Sequence, residues 1–299
     1  GGHLSHGSPA NWVSKFYNFK FYPIDKETEL IDYDEMERIA KEFKPKLIIA
    51  GASSYSRLID YERFAKVAKE VGAYFMVDMA HISGLVAAKV IPSPIPYADF
   101  VTSSTTKTFC GSRSGMVFCK KEHEKALKKG TFPGALGSMH LNTMAAKCWS
   151  FKYAASDEFR AIMQQVLVNA KCMADEMAKL GFRVISGGTD NHLLVVDLRS
   201  KGVTGKDMQN ILDSIGIAVN KNMIPFDPEK PGVTSGIRIG LTAVTERGMK
   251  EAEVREIAGI INKVAENPTN EEVLAQCKAQ AQALIAKFTL YPEGTFDKE

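Results

Sequence analysis

A handful of residues stand where chemistry could be done. Asp78 and His81 lie three apart in "VDMAHISG", just past an apolar run. Further along comes "SSTTKTFCG", with the single lysine Lys107 among small hydroxyl residues. A lysine amine that acts as a nucleophile must be activated by desolvation or by nearby charge. Its neighbours Ser103, Ser104, Thr105, Thr106 and Thr108 suit a crowded site better than a solvated face. Each feature alone has a plainer reading. An aspartate after a strand often only caps the next helix, and a lone lysine is more often a surface group.

Taken together the residues match the needs of one cofactor. Pyridoxal 5'-phosphate requires a lysine amine for its aldehyde and a carboxylate to keep its ring nitrogen protonated. An opposite charge at close range raises that nitrogen's pKa, and the charged ring then accepts electrons from a substrate α-carbon. Such enzymes also hold the substrate's carboxylate, for which the planar fork of arginine is the best partner. Arg238 stands in the apolar stretch "TSGIRIG", where burial is costly unless the charge is paired. A structural salt bridge is the competing role for it. The N-terminal "GGHLSHG" carries His3 and His6. No cysteine or carboxylate cluster accompanies them, so no metal site is expected, and stacking on a flat cofactor is the other role for an imidazole there. His192 in "DNHLLVVDL" reads as structural, at a strand end.

The elements that must position these groups alternate. "DEMERIAKEFK" has helical spacing and "KLIIAGAS" reads as a buried strand. Asp60 is placed to cap a helix over "YERFAKVAKEVG", and Gly72 to end it. "YFMVDMA", "DFVTSSTT" and "GMVFCKK" are further strands. Short apolar strands between amphipathic helices predict an α/β fold with a mostly parallel sheet covered on both faces. Ligands of such sheets sit beyond the carboxyl ends of the strands, where Ser53, Asp78 and Lys107 fall. From about His140 to Leu180 the pattern is helical. Beyond Gly181 come the short strands "FRVIS", "HLLVVDL" and "GIRIG" with amphipathic helices between and after them. The domains expected are 1–156, a large cofactor-binding domain, and 157–299, a smaller α+β domain.

The bulk numbers fit an ordinary globular protein. The 299 residues are 45% hydrophobic and 24% charged, with a net charge of +3 that provides no basic field for nucleic acid. No apolar run reaches the ~18 residues of a membrane helix. Five scattered cysteines, with neither a CxxC pair nor a signal peptide, fit a reducing cytoplasm. The basic stretch "KKEHEKALKKG" lacks aromatic interleaving and reads as a solvated helix. The chain opens at Gly1 without methionine, which reads as the middle of a longer sequence.

Seven stretches, "GGHLSHGSPAN", "SYSRLIDY", "VDMAHISGLVAA", "TSSTTKT", "TDNHLLVVDL", "NKNMIPFDP" and "TSGIRIGLTAVTERG", resemble serine hydroxymethyltransferase in family order over nearly the whole chain. The resemblance implies the aspartate-aminotransferase-like fold (PLP-dependent fold type I), with a seven-stranded-type sheet plus a smaller α+β domain, in a dimer or tetramer. It implies transfer of a hydroxymethyl one-carbon unit between serine and tetrahydrofolate, giving glycine. Carried over by motif, Lys107 resembles the lysine that bonds the cofactor and Asp78 the partner of the pyridine nitrogen. His81 resembles the contact to the ring hydroxyl, His3 the ring-stacking histidine, Ser53 the support of the ring substituents and Arg238 the substrate-carboxylate clamp. The roles of His81 and Ser53 come from the resemblance alone.

Three departures from the family pattern stand out. The family's N-terminal segment, with its acid-base glutamate and phosphate loop, is absent from this sequence. Thr106 replaces the histidine that precedes the family's lysine. Where the family has Gln-Gly-Gly-Pro, whose glycines reach a neighbouring subunit's phosphate, this chain has Leu136, Gly137 and Ser138. A phosphate bound by backbone N–H groups needs glycine where the chain approaches closely. A protein made of these residues alone is expected to bind cofactor weakly. Two other readings stay open: a non-catalytic relative that dimerises with a full-length partner, and a pyridoxal-phosphate aldolase acting on β-hydroxy amino acids.

Overall fold

Helix and strand signals along the chain become two separate hydrophobic cores. The computed structural model describes residues 1–290, so the last nine residues of the expected 157–299 domain lie outside the described residues. The chain divides into two compact units, one from Gly1 to Gln164 and one from Gln165 onward.

The first unit alternates helix and strand: α1 (Tyr33–Phe43), β1 (Leu47–Ala50), α2 (Tyr61–Val71), β2 (Tyr74–Asp78), α3 (Ser83–Ala87), β3 (Phe100–Ser104), β4 (Gly115–Cys119), α4 (Glu124–Lys129) and α5 (Leu141–Ala154). The sheet order is β1-β2-β3-β4. The first three strands are parallel and β4 is antiparallel to β3. The mostly parallel α/β sheet expected from the sequence is therefore present. Helix α2 shows why these ends are legible. The Asp60 side chain accepts a hydrogen bond from the Arg63 N–H at 2.9 Å, satisfying an otherwise orphaned donor. Gly72 closes the helix at φ +72°, a left-handed conformation that costs glycine nothing. The apolar face of α2 delivers Phe64 onto Phe75 of β2, the rings stacked at 5.7 Å between centroids and both fully buried. Burying a side chain of that kind stabilises the fold by about 1.5–3 kcal/mol.

Helical character continues after β4, but not as one rod. Helix α5 ends at Ala154 and α6 runs Asp157–Lys179. Between them the Ser156 hydroxyl accepts from the Phe159 N–H at 3.1 Å, starting a new helix rather than extending the old one.

The second unit adds β5 (Arg183–Val184), β6 (Leu193–Asp197), α7 (Gly205–Ser214), β7 (Asn220–Asn222), β8 (Gly236–Gly240), α8 (Thr242–Glu246), α9 (Glu251–Glu266) and α10 (Glu271–Lys287). Its sheet order is β5-β6-β8-β7, antiparallel throughout. All five residues of β6 are buried. Met173, Met177, Leu194, Met208, Leu212, Ile237 and Ile261 form its fully buried core. Asn169, also fully buried, donates to Thr245 Oγ1 at 2.8 Å and to the Met249 carbonyl at 2.9 Å. The stretch "FRVIS" keeps only two strand residues, because Ser186 turns the backbone to φ +55°. Among the described residues no helix is long and apolar enough to cross a membrane.

Candidate active site

The carboxyl ends of β2 and β3 hold the candidate residues at a fixed separation. Asp78 is the last residue of β2 and pairs with Thr102 of β3. The ladder continues one step further, with the Met79 N–H donating to the Thr102 carbonyl at 2.9 Å. The loop after β1 passes close by. A Cβ at Gly51, which sits at φ +128°, would lie 2.2 Å from the Asp78 carbonyl oxygen, so only glycine fits there.

The loops beyond these strands are stitched together by one side chain. Thr108 Oγ1 accepts from the Gly84 N–H at 2.9 Å and donates to the His81 carbonyl at 2.9 Å. The two backbones are so close that a Cβ at Gly84 would come within 1.9 Å of the Thr108 carbonyl oxygen. The segment carrying His81 thus cannot move independently of the segment carrying Lys107.

Above the strand ends is a cavity of about 220 Å³. His3, Ser53, Asp78, His81 and Lys107 all line it, together with Ser5, His6, Ser103 and Ser104. Five residues singled out in sequence, spread over more than a hundred positions, therefore face one space. Gly137 is exposed and is not among the cavity's lining residues. Arg238 lies in the second unit, on β8, where Nη2 donates to Asn220 Oδ1 at 2.9 Å.

His6 also lines the cavity, a residue the sequence reading does not single out although it stands three positions after His3 in the same motif. Its Nδ1 accepts from the His3 backbone N–H at 3.3 Å, which leaves Nε2 as the protonated nitrogen. Nε2 then donates to Asp78 Oδ2 at 3.0 Å, with both side chains largely buried. The Ala80 N–H donates to Asp78 Oδ1 at 3.0 Å. Burial acts to raise the Asp78 carboxyl, but the His6 and Ala80 hydrogen bonds, with the nearby imidazoles, outweigh it and hold the group below the usual carboxylate range. Asp78 is accordingly an anion at neutral pH. A turn of 3-10 helix over Leu4–His6 explains the spacing, since it brings residues three apart onto one side. Ser5 steadies the other ring. Its N–H donates to His3 Nδ1 at 3.2 Å and its hydroxyl lies 2.7 Å from the same nitrogen. The two imidazoles meet edge to face at 5.9 Å.

Chemically, this is an anionic carboxylate fixed by a histidine, with an amine, imidazole rings and several hydroxyls lining the same small space. That set fits a flat heteroaromatic cofactor with a basic ring nitrogen and a carbonyl. The carboxylate is ionised, as a protonated ring nitrogen requires, and the amine shares the cavity with it. A family model described as serine hydroxymethyltransferase matches residues 1–261 of the chain.

Proposed function

Because the chain belongs to the serine hydroxymethyltransferase family, whose members are pyridoxal-phosphate-dependent transferases, we propose that it moves a hydroxymethyl group between serine and tetrahydrofolate, with glycine as product. The observation that carries this reading is the shared cavity of Lys107, Asp78, His81, His3 and Ser53. Pyridoxal 5'-phosphate, when bound, supplies an electron sink for the substrate's α-carbon.

The chain's own residues supply the rest. Lys107 provides the amine that bonds the cofactor's aldehyde carbon. Asp78, kept ionised by His6, holds a proton on the ring nitrogen. His3 covers a face of the ring, while His81 and Ser53 hold the ring's polar substituents. Arg238 binds the substrate carboxylate through its planar fork. Gly137 serves the phosphate of a neighbouring subunit, which makes the working form a homo-oligomer. Domains of 1–156 and 157–299 divide this labour, with cofactor chemistry in the first and carboxylate binding in the second.

Borohydride reduction in the presence of pyridoxal 5'-phosphate, followed by peptide mapping, tests the reading. The label is expected on the peptide carrying Lys107 and is expected to vanish in Lys107→Ala. A label placed elsewhere, or none, overturns it. Serine turnover assayed with and without tetrahydrofolate then separates hydroxymethyl transfer from folate-independent aldol cleavage of β-hydroxy amino acids.

A further inference from the structure

Arg238 sits in a slot whose walls are given by strand register. On β8 it lies directly opposite Val195 of β6 on one side and Asn220 of β7 on the other. Val195 is buried and belongs to a small apolar cluster with Ile185 and Ile224, so it offers the arginine only its hydrocarbon surface. Along β8, side chains alternate between faces, so Arg238 shares its face with Gly236 and Gly240. A Cβ at Gly240 would meet nothing within 4 Å, so the space beside the arginine in that direction is open. One polar neighbour is Asn220, whose Oδ1 accepts from Nη2 at 2.9 Å.

We propose that Asn220 is a positioning residue for Arg238, orienting the guanidinium for a carboxylate ligand while adding no charge of its own. An amide oxygen and a carboxylate oxygen could accept that hydrogen bond equally well in shape. They differ in what they leave for a ligand. An aspartate at 220 would form an ion pair with the guanidinium and repel an incoming carboxylate, whereas the amide fixes one edge of the fork and leaves the positive charge undiminished. Burial lowers the Arg238 pKa from its ordinary value, yet an arginine in protein stays protonated at neutral pH. Strand β7 reads "NKN", with no apolar alternation to make it a strand. Its register against β8 is what places the amide beside the arginine.

This inference rests on the reading of Arg238 as the substrate-carboxylate clamp, and the test separates the two. Glycine binding to the chain saturated with pyridoxal 5'-phosphate is measured by isothermal titration for the parent, Asn220→Asp, Asn220→Ala and Arg238→Lys, with thermal midpoints taken without glycine. Asn220→Asp is expected to weaken glycine binding by about tenfold or more, and by more than Asn220→Ala does. Its thermal midpoint is expected to stay at the parent's, since Asp is isosteric with Asn. A residue needed only for strand packing would give the reverse order, with Ala worse than Asp and a lowered midpoint, and that result overturns the proposal. Parental glycine affinity in Asn220→Asp, with affinity lost in Arg238→Lys, sinks this inference alone. Parental affinity in Arg238→Lys, or no glycine binding by the parent, sinks the clamp reading and this inference with it.

Discussion

The His6 ring donates its Nε2 proton to Asp78 Oδ2 at 3.0 Å, across 72 residues of sequence, at the edge of the cavity that Lys107 also lines. A hydrogen bond to a charged group contributes about 1.5–3 kcal/mol, so His6→Ala is expected to weaken pyridoxal 5'-phosphate binding by about tenfold or more. Absorbance titration of the cofactor measures it; unchanged affinity would show that Asp78 needs no help from His6.

The same contact has a pH signature. The folded Asp78 carboxyl is held below its unfolded value of 3.8. The stability it contributes is therefore complete above that value and is lost as pH falls through the lower, folded one. His6→Ala removes the largest favourable influence and leaves burial, which raises the group, opposed only by the Ala80 hydrogen bond and the His3 imidazole. Stability of parent and variant should accordingly differ at neutral pH and converge under acid. Denaturant unfolding at about pH 7 and about pH 3 checks this, and a gap of equal size at both contradicts it.

Thr108 joins the loop of His81 to that of Lys107 through two hydrogen bonds, one buried and one partly buried. Thr108→Val keeps the shape and strands the Gly84 N–H and the His81 carbonyl, so a loss of about 1–3 kcal/mol is expected. Cofactor affinity should fall as well, because the two loops can then drift apart. Thermal unfolding alongside cofactor titration reads both. A variant that loses stability and keeps full affinity would mean that the stitch is structural only.

In the second unit Asp197 is buried between two arginines, at 2.9 Å from Arg183 Nε and 2.8 Å from Arg199 Nη2. Burial works to raise its carboxyl, and the hydrogen bonds from Arg199 and then Arg183 overcome that and depress it. Because the folded value is depressed, its contribution is present above the ordinary carboxylate range and fades as pH drops through the folded value. Asp197→Asn should cost about 1–3 kcal/mol at neutral pH and progressively less in acid. Equal destabilisation at both pH values in urea unfolding would contradict the ion-pair account.

Capping at α2 offers a check on local rules. Asp60→Ala removes the side chain that accepts from the Arg63 N–H and should cost about 1 kcal/mol, with no change in cofactor binding. Circular dichroism melts measure the first part and cofactor titration the second.

What the order of residues determined by itself is local. Asp60 and Gly72 bound a helix because their side-chain chemistry and backbone freedom act within a few positions. The apolar runs of β1, β2 and β3 declare parallel strands, though in the structure full burial is reached only at alternate residues, with Leu47 and Tyr74 exposed. Motif by motif, Lys107, Asp78, His81, His3 and Ser53 are legible in the sequence as candidates, and all five line one cavity. Tertiary structure decided what depends on distance between remote segments. Nothing in "GGHLSHG" says which of two histidines reaches Asp78; that follows from a single turn of 3-10 helix resting beside the end of β2. Gly51 and Gly84 are ordinary glycines in sequence and are required because another backbone lies against each and, at Gly51, because φ is +128°. The strand at Asn220–Asn222 carries no apolar alternation, since pairing with β8 and not burial of its own side chains makes it a strand. Local propensity is written in neighbouring residues, whereas hydrogen bonds and close approaches between distant segments exist only once the sheet has set their register.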